Sequence, residues 1–423
     1  MRIVVFDYSG HPGQIQLSRE LVRLGHQVLH LHCPDYQSGK GDLSLHPEDS
    51  GGPGSLAIDE IRIGSNFARY SPTVRIRQEL KTGRLGAARI LRFAPDVALL
   101  SNIPLLGNAL LAERLNRAGI PMVFWHQDIY SRAIGEAVRR KLGPAGPPLA
   151  AVADGIERRI ARLSRAVVPI SQAYLPTLRR WGVPDQRITV IPNWGPVAEI
   201  VPRERDNDWA ARHDLMDRPV AMYTGTLGLK HDPRLLLEMA ERLAVDLPEA
   251  RVVVVSEGQG RGYLEEWTAG RTLEQLQLLD FQPYEDLPDV LGAADLVVAM
   301  LEPEAGVFSV PSKVLTYLCA GRAILGVMSP ENQAALMIEE AGAGWITPAD
   351  QRAAAVDQLV AALADTELTA EAGRRGRKYA ESAFSIRTIG EQFERILSEV
   401  ASESLVTQRS RRGRRARARR SQV

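Results

Sequence analysis

The chain has 423 residues, of which 45% are hydrophobic and 24% charged, with 35 Gly and 26 Pro. This composition is that of a folded protein of two or three domains, and it excludes a small binding module, a collagen-like chain and a wholly disordered chain. The two cysteines, Cys33 and Cys319, exclude a disulfide framework and a cysteine-rich metal site, which fits a reducing cytosol. Since no run of about 20 uncharged apolar residues occurs, any membrane contact is expected to be peripheral.

The net charge of +1 conceals an uneven distribution of charge along the chain. Residues 1–200 carry 25 Lys and Arg against 17 Asp and Glu, whereas residues 201–408 carry 19 against 34. Residues 409–420 then add eight Arg and no acidic residue. Because this last stretch has no large apolar side chain to bury, residues 405–423 are predicted to form a disordered, Arg-rich tail.

The first half of the chain alternates short apolar runs with amphipathic stretches, which is the pattern of parallel β–α units. The first strand is predicted at residues 2–7, and a turn containing Gly10 and Gly13 leads from it into a helix that ends at Gly25. Further strands are predicted at residues 27–32, 96–100, 122–125, 166–170 and 188–191. Residues 1–201 are therefore predicted to form one doubly wound α/β domain.

A polar segment of mixed charge, residues 202–219, interrupts this alternation and is predicted to be a linker. The alternation then restarts, with strands predicted at residues 220–223, 251–255, 276–281, 295–301 and 323–327. Residues 351–404 are predicted to be helical and to close the second domain, which spans residues 220–404. The sequence thus predicts two similar α/β domains with parallel sheets, facing each other across a cleft, and ligands at the carboxyl ends of the strands.

The strongest local pattern is FSVPSKVLTYLCAG, residues 308–321, which follows a predicted buried strand. Ser309, Pro311 and Ser312 are residues typical of a helix start, and Gly321 is typical of a helix end. The free amides and the macrodipole of such a helix attract an anion, and Lys313 adds a full positive charge beside them. The pattern favours phosphate binding, and the alternative is an ordinary capped helix with a solvated lysine.

Two glycine-containing turns follow other strands of the second domain. In YTGTLGLKHD, residues 223–232, Gly225 and Gly228 permit close approach to the backbone, and Lys230 is long enough to reach a diphosphate. The turn SEGQG at residues 256–260 contains Glu257. Each turn alone fits a plain connection, but several in one domain favour a binding site.

In the first domain, His126 directly follows a predicted buried strand, so its imidazole is expected either to face a ligand or to serve a structural role. The turn GHPGQ offers a hydroxyl-rich ligand the flexible backbone of Gly10 and Gly13, or is merely a tight connection; it is not the GxGxxG of dinucleotide-binding proteins. The histidines and cysteine at residues 30–33 and the DND at residues 206–208 are weak metal candidates, and no metal site is predicted.

Residues 62–92 contain eight basic residues and a single acidic one, with leucines and isoleucines between them. The segment fits either a surface for anionic lipid or a solvated helix face.

Taken together, these blocks resemble the retaining GT-B glycosyltransferases of family 4, especially those that build bacterial exopolysaccharides and O-antigens. The likeness covers most of residues 1–400. Its most specific features are the order and spacing of the following blocks: LVRLGHQV; WHQDIY; ISQAYLPTLRRWGVPDQRITVIPNW; YTGTLGLKHD; FQPYEDLPDVLGAADLVVAML; and FSVPSKVLTYLCAGRAIL.

The resemblance implies that the second domain holds a nucleotide-diphosphate sugar and that the first holds the acceptor. By the same resemblance, Gly225, Thr226 and Lys230 contact the diphosphate, and His126 faces the donor sugar. The loop of Ser309, Val310, Pro311, Ser312 and Lys313 would hold the distal phosphate, and the segment from Phe281 to Tyr284 would lie against the nucleobase. The sequence departs from the family pattern at two positions, since Thr226 replaces an Arg and Thr316 replaces a Glu.

The function implied is retaining transfer of a sugar from an NDP-sugar, expected to be UDP-linked, to a lipid-linked or glycan acceptor during envelope polysaccharide synthesis. His126, Lys230 and Lys313 are the expected catalytic residues, with no cofactor, no metal and no nucleic-acid partner. The expected location is the cytoplasm, at the inner face of the plasma membrane. Two alternatives remain at this stage: an NDP-sugar epimerase or hydrolase on the same fold, and a non-catalytic nucleotide-sugar-binding protein.

Overall fold

The computed structural model describes residues 1–36, 40–64, 71–142, 146–228, 231–302 and 311–420, without the side chains of residues 72, 136, 137, 140–142 and 404–420. The chain divides into two compact units. Unit 1 consists of Met1–Pro192 and Ile386–Val423, and unit 2 consists of Asn193–Ser385.

Unit 1 alternates strands and helices in the order that the sequence predicts. Its strands are β1 (Arg2–Asp7), β2 (Gln27–His32), β3 (Ser55–Glu60), β4 (Val97–Ser101), β5 (Met122–His126) and β6 (Ala166–Pro169). Its helices are α1 (Pro12–Arg23), α2 (Pro72–Phe93), α3 (Leu105–Ala118), α4 (Tyr130–Leu142), α5 (Gly146–Leu163), α6 (Leu175–Arg180) and, from the end of the chain, α15 (Ile386–Arg420).

The strands of unit 1 form a parallel sheet in the order β3-β2-β1-β4-β5-β6. The central strands are almost wholly apolar because helices cover both faces of such a sheet. The order reverses between β1 and β4, and the carboxyl ends of these strands, Asp7 and Ser101, are paired in register. A doubly wound sheet binds ligands at this kind of edge, so the loops after β1, β4 and β5 are the relevant ones.

Two elements of unit 1 differ from the prediction. Strand β3 is absent from the prediction because it is a partly exposed edge strand that ends in two acidic residues. The predicted strand at residues 188–191 is present only as a bridge between Ile188 and Val167. The amides of Thr189 and Ile191 do donate to β6, but Pro169 of β6 has no N–H to return a bond, so no regular ladder forms.

Unit 2 repeats the architecture. Its strands are β7 (Val220–Thr224), β8 (Arg251–Val255), β9 (Leu276–Leu279), β10 (Leu296–Met300), β11 (Ala323–Val327) and β12 (Gly344–Thr347). Its helices are α7 (Asp208–Arg212), α8 (Pro233–Asp246), α9 (Gln259–Thr268), α10 (Leu287–Gly292), α11 (Lys313–Ala320), α12 (Gln333–Ala341), α13 (Arg352–Ala364) and α14 (Thr366–Ala383). The parallel sheet has the order β12-β11-β10-β7-β8-β9. The predicted fold class of two doubly wound parallel-sheet domains is thus confirmed.

The predicted linker, residues 202–219, is an integral part of unit 2. Trp209 and Leu215 are fully buried, and Arg205 forms an ion pair with Asp295 at 2.9 Å. Asn207 caps α7 by accepting a hydrogen bond from the amide of Ala210. The segment is polar in composition, but its few apolar residues are buried in the unit, so the boundary lies after Pro192 rather than at residue 201.

The last helix also differs from the prediction, which places residues 351–404 in the second domain. Helix α15 packs in unit 1, where it contacts α1, β4 and β5. Phe393 lies against Trp125 with 4.7 Å between ring centroids. At Gly390 the helix passes so close to Glu20 that there is no room for a side chain. The helix continues to Arg420 instead of ending before a disordered tail at residue 405, because Arg and Ala favour propagation of a helix that is already anchored.

Candidate active site

A cavity of about 470 Å³ lies at the carboxyl edge of the sheet in unit 2. It brings together three groups of residues that the sequence singles out: the turn after β7, the segment between β9 and α10, and the start of α11. The lining residues are Thr224, Gly225, Thr226, His231, Val255, Phe281, Gln282, Tyr284, Leu287, Val290, Leu301, Pro311, Ser312, Lys313 and Thr316. Lys230, Ser309 and Val310, which are also predicted site residues, lie outside the described residues.

The turn after β7 requires a glycine. Gly225 has a φ of +102°, which L side chains rarely adopt, and its amide donates to the carbonyl of Val255 at 3.0 Å. A Cβ built on Gly225 would lie 3.8 Å from both Cε and Nζ of Lys313. The glycine therefore keeps the backbone of this turn close to the lysine.

Lys313, the first residue of α11, is the main electrostatic feature of the cavity. Its Nζ is buried and has no hydrogen-bond partner among the described residues. The nitrogen lies 3.5 Å from the centroid of the Tyr223 ring, a cation–π contact. Burial lowers the pKa of Lys313 to about 7. A buried ammonium without a counter-ion costs free energy, so the position favours binding of an anion.

Two exposed aromatic side chains flank the same cavity. Phe281 is 58% exposed and Tyr284 is 51% exposed, and the Tyr284 hydroxyl donates to Glu199 at 2.8 Å. An exposed aromatic face beside a cavity is a platform on which a planar ring can stack.

Gln282 lies between these aromatic residues and has a fixed orientation. Its Oε1 accepts from the indole N–H of Trp209 at 3.2 Å, and its Nε2 donates to the carbonyl of Asp280 at 2.9 Å. Because an indole N–H can only donate, the amide cannot be reversed. These two hydrogen bonds thus fix the position of the Gln282 amide at the rim of the cavity.

Two residues, Glu257 and His231, differ from the prediction in whether they line the cavity. Glu257 is exposed after β8 and does not line the cavity, although Thr226 Oγ1 approaches it at 3.5 Å. His231 lines the cavity, and its Nδ1 accepts from the amide of Gly228 at 3.2 Å. Sequence reasoning missed His231, although it stands within the block YTGTLGLKHD, and it included Gln282 only as part of the segment from Phe281 to Tyr284.

In unit 1, the turn after β1 is organised by the buried carboxylate of Asp7. This carboxylate accepts from the amide and hydroxyl of Ser9, from the amide of His11 and from Asn102 Nδ2. Gly10 has a φ of +71°, which the turn requires, whereas Gly13 lies in the first turn of α1. The predicted acceptor-side glycines thus belong to an ordered edge of the sheet.

The side chain of His126 does not reach the surface of unit 1. The side chain is completely buried, and its Nε2 donates to Glu157 of α5 at 3.1 Å. The ring packs beside Phe124, with 4.6 Å between centroids, and beside Tyr174. Alternation along β5 places positions 124 and 126 on the same face of the sheet, and α5 covers that face. The expectation that His126 faces the reacting centre therefore does not hold here.

Within the described part of the chain, no group of three or more His, Cys, Asp or Glu side chains is placed to hold a metal ion. None of the helices in the same part is long and apolar enough to span a bilayer.

Comparisons with known proteins agree with this architecture. Residues 15–194 match the family described as "Glycosyl transferase 4-like domain", and residues 206–379 match "Glycosyl transferases group 1". The chain therefore belongs to the GT-B glycosyltransferases. The first of these matches lies in unit 1 except for its last two residues, and the second falls within unit 2, which contains the cavity.

Individual relatives of this glycosyltransferase are distant. It is 22% identical over 191 residues to an alpha-D-kanosaminyltransferase of Streptomyces kanamyceticus, and the match covers 45% of the chain and 48% of that relative. Sucrose-phosphate synthase from Thermosynechococcus elongatus has a similar structure, with a TM-score of 0.71, 15% identity and coverage of 95% and 100% of the two chains. The HepE protein of Anabaena in complex with UDP has a TM-score of 0.66, 16% identity and coverage of 94% and 100%. At these identities, the structural likeness concerns the fold.

Proposed function

We propose that the protein is a retaining glycosyltransferase that moves a sugar from a UDP-sugar to a lipid-linked or glycan acceptor during envelope polysaccharide synthesis. The observation that carries the proposal is the buried Nζ of Lys313 in the cavity of unit 2, which has no hydrogen-bond partner in the described part of the chain. Two further facts support a UDP-sugar as the donor. The exposed faces of Phe281 and Tyr284 suit a nucleobase, and HepE, a protein of the same fold, was solved with UDP.

In this proposal the diphosphate of the donor binds beside Gly225 and Lys313 in the cavity. The first amides of a helix have no partner within it, so the start of α11 at Ser312 and Lys313 offers N–H groups and a positive dipole end. Lys230 would add a second cation. As the bond between sugar and phosphate breaks, negative charge grows on the departing diphosphate, and these groups stabilise it.

In this scheme the leaving phosphate accepts the proton of the acceptor hydroxyl, which attacks the same face of the sugar. The anomeric configuration is then retained without a nucleophilic side chain. The chain's own residues bind the diphosphate, stack on the base and hold the acceptor, and so bring the reacting atoms together.

The proposal is tested by a panel of NDP-sugars, first for thermal stabilisation and then for release of NDP in the presence of membrane lipid extract. We expect a UDP-sugar to stabilise the protein and to release UDP only when the extract is added. Turnover without an acceptor would indicate a hydrolase or epimerase, and binding without any turnover would indicate a non-catalytic binding protein.

The pH dependence of donor binding is a further prediction. Because burial lowers the pKa of Lys313 to about 7, the unliganded site holds its ammonium below that pH and loses it above. The affinity for UDP should therefore fall about tenfold per pH unit above 7, and binding at pH 8 should take up a proton. Calorimetry from pH 6 to 8.5 in buffers of different ionisation enthalpy measures both. An equal affinity at pH 6 and 8.5, with no proton uptake, would contradict this role of Lys313.

We also propose that α2 contacts an anionic membrane, which would place the enzyme at the cytoplasmic face of the plasma membrane. Its exposed face combines Val74, Ile76, Leu85 and Leu91 with Arg77, Lys81, Arg84 and Arg92. The acidic residue of this helix, Glu79, is buried and bonded to Arg75 and to the amide of Leu106. The exposed face thus joins apolar side chains to cations, as in interfacial helices.

Reversing two charges of this face should weaken membrane binding. Each Lys or Arg near an anionic surface contributes about 1 kcal/mol, so Arg77→Glu with Arg84→Glu should lower binding to phosphatidylglycerol vesicles by at least about 10-fold in a sedimentation assay. The control carries the same charge change in unit 2, Arg212→Glu with Arg271→Glu, and should retain binding. An equal loss in both variants would show a non-specific effect of net charge.

A further inference from the structure

The segment after β5 presents one exposed carboxylate at the edge of the unit 1 sheet. Asp128 is exposed, while Ile129 behind it is buried. The segment follows β5, whose Trp125 is paired with Ser101 of β4, and Ser101 is paired with Asp7 of β1. Asp128 therefore lies beside the point where the strand order reverses, at which such sheets bind ligands.

Buried side chains hold this segment on both sides. The Tyr174 hydroxyl donates to the carbonyl of Gln127 at 2.9 Å. The carboxylate of Glu157, itself fully buried, accepts from the amides of Tyr130 at 3.0 Å and Ser131 at 2.8 Å. The same carboxylate accepts from His126 Nε2. Tyr174 thus fixes the backbone immediately before Asp128, and Glu157 fixes the backbone after it and also binds His126.

The fixed segment is also connected to the neighbouring loops. Tyr130 donates its hydroxyl proton to the carbonyl of Asn102 at 3.3 Å, and Asn102 donates to Asp7 at 2.8 Å. Burial and the charge of Asp128 both raise the pKa values of Tyr130 and Tyr174. The loops after β1, β4 and β5 therefore form one hydrogen-bonded edge with Asp128 at its surface.

We infer that Asp128 is an acceptor-binding residue, which accepts a hydrogen bond from a hydroxyl group of a sugar acceptor. An ionised carboxylate accepts hydrogen bonds and cannot donate them. The group that it selects is therefore a donor such as a sugar hydroxyl, rather than a phosphate. Glu157 and His126 are positioning residues that act through the backbone of this segment. This inference rests on the proposed function, because it concerns the acceptor side of that reaction.

Asp128→Asn is the test, since it removes the charge and keeps the shape. The assay follows UDP release from the UDP-sugar found in the donor panel, with bacterial membrane lipid extract in detergent as the acceptor. We expect the amount of extract at half-maximal rate to rise about 10–100-fold, as for a lost hydrogen bond to a charged group. The Kd for UDP, measured by calorimetry, should not change.

Two further variants separate acceptor binding from a general loss of structure. Glu48→Gln changes a carboxylate of the same unit that is 86% exposed, and it should behave as the wild type. Glu157→Gln should raise the half-saturating amount of extract without changing the Kd for UDP. In the double variant with Asp128→Asn, the half-saturating amount should be close to that of Asp128→Asn alone. Melting temperatures establish that each variant is folded.

The outcomes distinguish this inference from the proposed function. If the wild type transfers sugar but Asp128→Asn has an unchanged requirement for extract, the inference about Asp128 is wrong. It is also wrong if the variant loses affinity for UDP, or if Glu48→Gln shows the same defect. If the wild type transfers nothing from any donor to the extract, the proposed function fails and this inference fails with it.

Discussion

Replacing Lys313 with alanine should lower sugar transfer by about 10–1,000-fold, the usual range for removal of one group that stabilises charge in a transition state. The Nζ is buried, lies 3.5 Å from the centroid of the Tyr223 ring and has no hydrogen-bond partner among the described residues, so it is available for the diphosphate. The measurement is steady-state release of UDP from the donor in the presence of acceptor extract.

The matched control is Lys378→Ala, which removes an exposed lysine of α14 in the same unit and should leave the rate unchanged. Lys313→Met should lose activity like the alanine variant but keep or raise the melting temperature, because it removes a buried charge without opening a large cavity. Wild-type rates in both Lys313 variants would remove the proposed anion site.

Gly225→Val should abolish most donor binding and also destabilise unit 2. A side chain at a φ of +102° strains the backbone, at a cost of order 1–3 kcal/mol, and a branched one projects toward Nζ of Lys313. We expect the Kd for UDP to rise at least about 10-fold, which corresponds to about 1.4 kcal/mol. Calorimetry with UDP and urea unfolding measure the two effects.

Gly228→Ala is the control for this turn. No atom of the described residues lies within 4 Å of a Cβ built on Gly228, and its φ is not in the left-handed region. The substitution should therefore change neither the Kd for UDP nor the free energy of unfolding by more than a small amount. If Gly225→Val bound UDP as well as Gly228→Ala does, the close approach of the β7 turn to the ligand would be ruled out.

Most of the sheet structure could be predicted from the sequence because buried parallel strands are continuous apolar runs. The edge strands β3 and β12 could not, since they are partly exposed and carry a mixed pattern. The packing of α15 in unit 1 could not be predicted either. Its apolar stripe of Phe393, Leu397 and Val400 shows that the helix is packed, but not on which unit.

The site was predictable to the extent that turns follow strands. That rule placed Gly225 and Lys313 at one edge of the sheet, and the family resemblance added Tyr284. The structure brings all three into one cavity. It failed at His126, because strand alternation turns this residue toward the helix layer, where Glu157 binds it. The burial of Lys313 Nζ against Tyr223 depends on packing between β7 and α11, which no local pattern reveals.

The most direct test of the diphosphate site is calorimetric binding of UDP and of uridine to the wild type and to Lys313→Ala at pH 6.5. If the diphosphate is held by the ammonium, the wild type should bind UDP at least about 10-fold more tightly than uridine, by about 1.4 kcal/mol, and most of this difference should vanish in the variant. An undiminished preference for UDP in Lys313→Ala would contradict the account.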